Sequence, residues 1–195
     1  MTTPLDWPSD LVPAGCEFGL QRQSVVSRSQ ISSNTQAYEL GSEFWKINVN
    51  MPAQARASAG GLESFVNQIV GSAQPVNAWH FGRPIPIGTM RGSPTLNASV
   101  AQFAKTIKIN TTGTLLRGDM FGVGGQLFQV AVDAIPVAGV LTVTTVNRVR
   151  IAISSGAAVT WYRPVVPFIC LEQSSAFMHS PDAMAGTSLT LVEDV

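Results

Sequence analysis

The chain is 195 residues long, 45% hydrophobic and 12% charged, with twelve basic and twelve acidic side chains that give a formal net charge of zero. That length and apolar content can fill one large core or two small ones, which excludes a disordered tail, and zero net charge argues against a dedicated nucleic-acid binder, which needs a Lys/Arg excess to neutralise phosphates. A charged fraction well under the roughly 25% of ordinary soluble proteins implies a surface that is neutral polar or covered by other chains, and so favours an assembly component.

Met1 to Leu11 carries Asp6 and Asp10 and no basic stretch ahead of an apolar run, so it does not read as a signal peptide. Pro4, Pro8 and Pro13 around Trp7 predict an extended N-terminal arm over residues 1–15, with Trp7 packing on a neighbouring copy. Cys16 to Val26 reads as a strand and Ser27 to Thr35 as a Ser-rich loop. Gln36 to Asn50 alternates through Tyr38, Leu40, Phe44, Trp45, Ile47 and Val49, which predicts one long strand bulged near Gly41. Leu62, Phe65, Val66 and Ile69 recur at spacings of three and four, so Ala53 to Val70 is the one convincing helix. Gly60-Gly61 weakens its middle and marks the place where it could divide, and Gly71 closes it. Gln74 to Phe81 returns as a strand, and Pro84 and Pro86 stiffen the connector from Gly82 to Gly88.

From Thr89 to Arg163 the composition turns to Thr, Val, Ile, Gly and Leu. Leu115-Leu116 and Leu127 to Val132 flank Gly118-Asp119 and Gly124-Gly125, the pattern of a hairpin. Further short strands follow at Val137 to Val149 and Ala157 to Tyr162, which predicts a small closed or nearly closed β-barrel. Val165 to Glu172 is another strand, Gln173 to Ser188 a Ser/Met/Ala loop containing Pro181, and Leu189 to Val192 the last strand, ended by Glu193 and Asp194. The expected fold is mainly β: a sandwich with one helix from residues 16–88 and 165–195, interrupted by an inserted barrel over residues 89–164. Thr89 to Arg163 carries a net charge of +5 and the remainder −5.

Cys16 and Cys170 lie far apart without a CxxC or a His at ligand spacing, so two free buried thiols are expected and no metal site. Gly122-Val123-Gly124-Gly125 precedes a β-type run rather than the helix a dinucleotide site requires, and no cofactor is expected. Asp119, beside Gly118, is expected to bond its own turn. His80 and His179 lack any HExxH, GxSxG or carboxylate-pair context, so no catalytic residue is expected. The candidate site residues are interface ones: Trp7, His80, Met178, His179 and Met184, the last three in a loop whose Met residues suit a contact surface, although a solvent linker or contact with a different protein remains open. Trp45, Trp79 and Trp161 sit in apolar strands, where burial is the default over a sugar-stacking role.

Trp45 before an Ala-rich helix, Phe65 to Gly71 as the helix end, the exit Gly88-Thr89-Met90-Arg91-Gly92 and the run Leu115 to Leu127 together resemble the tail-tip structural proteins of tailed bacteriophages, of the distal tail protein type. The resemblance spans roughly Cys16 to Glu193. It implies a tail-tube-like β-sandwich bearing a helix, a second β-domain, and a hexameric ring that joins tail tube to baseplate or hub as a homo-oligomer. It also implies a virion protein assembled in the host cytoplasm, without catalysis, with DNA passing through the lumen unbound. No apolar run reaches the roughly 18 residues of a spanning helix, so no membrane association is expected. In such a ring the acidic portion is expected to approach the lumen, and the basic one, through Lys105, Lys108, Arg148 and Arg150, to face outward. The alternative reading is a glycan-binding β-module of a receptor-binding apparatus.

Overall fold

The computed structural model describes residues 2–28, 34–39, 43–179, 183–184 and 186–194. Strands and one helix follow in the order β1 (Leu5–Asp6), β2 (Gly15–Gln21), β3 (Ser24–Arg28), β4 (Thr35–Glu39), β5 (Phe44–Met51), β6 (Gln54–Ala55), α1 (Arg56–Ile69) and β7 (Val76–Ala78). Then come β8 (Thr95–Leu96), β9 (Thr106–Asn110), β10 (Met120–Val123), β11 (Gln126–Gln129), β12 (Val140–Thr144) and β13 (Val159–Thr160). The chain closes with β14 (Val166–Cys170), β15 (Ala183–Met184) and β16 (Thr187–Glu193). The fold is mainly β, with a single helix among the described residues.

A six-stranded sheet in the order β1-β7-β14-β16-β5-β2 takes its strands from the two ends of the chain. On β5 the alternation seen in the sequence puts Trp45, Ile47, Val49 and Met51 inward, and β16 answers with Leu189 and Leu191. The helix lays Leu62, Phe65, Val66 and Ile69 into the same core, all at most 5% exposed. It runs unbroken through Gly60-Gly61, because burial of that stripe outweighs the intrinsic cost of two glycines. Val70 turns extended, its N–H still bonded to Val66 O, and Gly71 at φ +88° donates to Glu172 O, which ends the helix against the strand side of the core.

Cys16 to Val26 and Gln36 to Asn50 each divide in two. β2 pairs with β5 up to Gln21↔Phe44, while β3 pairs with β4 from Ser24↔Glu39 to Arg28↔Thr35. The two ladders share no pairing, and the bulge expected near Gly41 lies outside the described residues. The four strands make one long antiparallel arm whose outer half, β3–β4, is a separate two-stranded sheet. Much of the expected loop from Ser27 to Thr35 also lies outside the described residues.

In the middle segment, β11-β10-β13 and β12-β9-β8 form two three-stranded sheets around Ile107, Ile109, Phe121, Phe128, Leu141 and Val143. They meet at two seams through the isolated bridges Thr95↔Ala158 and Val130↔Thr145. No continuous ladder closes them into the expected barrel: β8 and β13 are only two residues long, and turns cut the ladders at both seams.

The hairpin's first strand begins at Met120 rather than at the expected Leu115-Leu116, and its second runs Gln126–Gln129 rather than from Leu127 to Val132. Val123↔Gln126 closes a two-residue turn in which Gly124 (φ +59°) and Gly125 (φ +72°) supply the left-handed pair that only glycine adopts without strain. Its two faces belong to two cores. Met120 and Leu127 pack with the helix and six-stranded sheet, whereas Phe121, Val123 and Phe128 pack in the middle segment. That double burial explains why β10, Met120-Phe121-Gly122-Val123, is apolar throughout and buried at every position rather than alternating.

Candidate functional site

Along the contact between the two cores runs a polar network. Arg150 Nη1 and Nη2 donate to Glu193 Oε2 and Oε1 at 2.6 and 2.5 Å, and Glu193 Oε2 also accepts the Trp45 N–H at 3.0 Å. Trp45 Nε1 donates to Leu127 O at 3.1 Å. Glu43 accepts the Arg148 N–H at 2.8 Å, and Arg22, at the base of the arm, lies 3.1 Å from Glu43 and donates to Val146 O. Arg150 is thus spent within its own chain, and it cannot form part of the outward basic surface expected with Lys105, Lys108 and Arg148.

Asp119 is 2% exposed, and its carboxylate accepts three backbone N–H groups, from Leu116 in its own turn and from Ile87 and Gly88 in the connector. The expected turn role is joined by a second one, that of fixing where the connector enters the middle segment. Cys170 is buried and Cys16 half-buried, both free. Burial first, and then its hydrogen bond to Glu172, pushes the Cys170 thiol up to about 12, so it is not a nucleophile near neutrality. Gly122 to Gly125 form a hairpin, with no helix N-terminus behind them. Among the described residues no group of three or more His, Cys, Asp or Glu is placed to hold a metal.

The expected interface residues fare differently. Trp7 is 6% exposed and belongs to its own chain: its ring meets Phe65 and Phe81 edge-on at 5.1 and 4.8 Å, and Nε1 donates to Leu11 O. The arm that carries it adds the parallel strand β1 to β7, so the surface it lies against is its own sheet. His80 stacks on Phe18 at 4.6 Å, and burial, followed by the Arg83 charge, holds it below its ordinary value. Met178 is 77% exposed, and His179 sits 3.9 Å from Glu63 on the helix. Ser175 donates to Asn67, so this segment follows the outer side of α1. Met184 pairs through its backbone with Gln54. These residues do not converge on one site.

Two surfaces missed in the sequence stand out instead. The first is the β3–β4 hairpin, in which every described side chain is exposed, Val25 at 48% and Val26 at 63%. The second is a cleft of about 170 Å³ where the arm meets the connector, walled by Trp7, Leu11, Val12, Trp79, Phe81 and Pro84. Arg163 also lines it, with its guanidinium 5.0 Å from the Trp79 ring and 5.3 Å from the Tyr162 ring. Arg163 holds φ at +43°, a strained value for a non-glycine residue, fixed by its N–H bond to Pro84 O at 2.7 Å. The sequence signal that could have found it is a cation set between an aromatic pair and a proline, Trp161-Tyr162-Arg163-Pro164. Trp161 likewise carries Arg91 over its ring at 5.0 Å, so both half-buried Trp residues have a cation over the ring where a sugar would stack.

No protein-family profile matches the chain, and no curated protein matches it.

Proposed function

We propose that the chain is a non-catalytic structural component of a tailed-bacteriophage tail tip, of the distal tail type. It works as a homo-oligomeric ring that joins tail tube to baseplate or hub while DNA passes through unbound. The observation that carries this reading is the β3–β4 hairpin. An isolated two-stranded hairpin is marginal in water, yet this one has Val25 and Val26 facing solvent and, among the described residues, no ladder to any other strand. A neighbouring subunit supplies the missing surface. The mainly β fold, the low charge fraction and the resemblance carried by the runs around Trp45 and Leu115 to Leu127 support the same reading.

The test is sedimentation of the purified protein. Wild type is expected to assemble, and the double variant Val25→Asp/Val26→Asp, exposed and so harmless to the core, is expected to sediment as a folded monomer. A wild type that stays monomeric and binds on a glycan array would favour the glycan-module reading instead. No helix is long and apolar enough to cross a membrane among the described residues.

A further inference from the structure

We infer that the Arg163 cleft is the receptor for the loop Val132 to Val137 of a second copy of this chain, an inference that rests on the ring reading and names one of its contacts. The loop carries Val132, Ile135 and Val137 at 62%, 73% and 76% exposure within six residues. They are presented rigidly: Ala134 exchanges hydrogen bonds with Leu115, Asp133 Oδ1 accepts the Arg117 N–H at 2.7 Å, and Val137 and Val140 close the next turn. Three large apolar side chains exposed within six residues of one tied-down loop make a concentration of the kind that marks an interaction site. Asp133 is exposed beside Val132, and among the described residues no cation pairs with it.

The cleft has the opposite character on each count. It is concave, its walls are aromatic, aliphatic and proline, and the one charged residue in its lining is Arg163. The rings of Trp79 and Tyr162 hold that guanidinium in place, while no described carboxylate or carbonyl accepts from it. Stacking positions a guanidinium and leaves its in-plane donors unused, the arrangement that receives a carboxylate edge-on. An exposed apolar loop bearing one acid therefore matches an apolar cleft bearing one cation, on the same chain. Two different patches meeting in this way make a heterologous contact, the kind that closes rings. Charge complementarity favours the loop as occupant over the Val25-Val26 hairpin, because in the loop the acid, Asp133, adjoins an exposed valine in sequence, whereas in the hairpin the acid, Glu39, lies on the facing strand opposite Ser24.

The test is a charge swap read by sedimentation and light scattering on the full chain. Arg163→Asp and Asp133→Arg should each weaken self-association on the order of 100-fold by placing like charges together, and the double variant should restore it. Asp tolerates the positive φ at position 163. Melting each variant checks its fold, and Ile135→Asp asks the same question without touching either charge. Restoration in the double variant, with loss in Ile135→Asp, carries the inference. Wild-type assembly unchanged in every variant overturns this contact and leaves the ring reading standing. A wild type monomeric at all concentrations overturns both.

Discussion

Arg150 and Glu193 form a two-pronged ion pair between the segment after β12 and the end of β16, with the Glu193 side chain fully buried and that of Arg150 at 13% exposure. It spans 43 positions of sequence and ties the middle segment to the six-stranded sheet at the point where Trp45 also bonds across. Removing one partner of such a pair leaves a buried charge uncompensated. Glu193→Ala should therefore cost about 3 to 5 kcal/mol in denaturant melts, whereas replacing both residues with apolar ones of similar size should cost far less. Equal losses in the two variants would mean that packing, not the pair, sets the cost.

Phe65 is 5% exposed, with its ring edge against Trp7. Phe65→Ala and Trp7→Ala are each expected to cost about 3 to 5 kcal/mol, and their sum should exceed the double variant, because the two rings share one contact. Full additivity would show that the N-terminal arm is not seated on the helix.

Two glycines should respond with opposite signs. A Cβ on Gly88 would lie 2.2 Å from Thr114 O, at a place where the Gly88 N–H is already held by Asp119. Gly88→Ala is expected at or above the top of the about 1 to 3 kcal/mol that overpacking costs. A Cβ on Gly60 meets nothing within 4 Å on the exposed side of α1, so Gly60→Ala should gain about 0.5 to 1 kcal/mol. Thermal melts of the two variants decide it.

The Cys170 thiol, raised from an ordinary 9.0 to about 12, makes a pH prediction. Because the folded value lies above the unfolded one, the stabilisation is fully present below pH 9 and is lost as pH rises toward 12. Wild type should thus lose more stability than Cys170→Ala between pH 8 and pH 10.5. At pH 8 a thiol reagent should label the half-buried Cys16 in the folded chain and reach Cys170 only in denaturant.

The local signals were legible where one element meets one core. Leu62, Phe65, Val66 and Ile69 announce a helix face, and Trp45, Ile47 and Val49 a strand face, because each period is set by the geometry of its own element. Gly124-Gly125 fixed the turn for the same reason. What was not legible came from residues whose partners lie far off in sequence. Glu193 reads as the end of the last strand because nothing near it reveals Arg150, and Trp7 reads as an intersubunit anchor because a proline-rich arm gives no sign of the sheet it will join. Arg163 was hidden in a different way: its strained backbone and paired rings exist only after the connector and the middle segment have come together.

The measurement that tests the central claim most directly is negative-stain electron microscopy of the purified full chain. Closed rings of one size, with six-fold class averages, are the predicted result. Uniform single particles at concentrations where a tail component would assemble would contradict it.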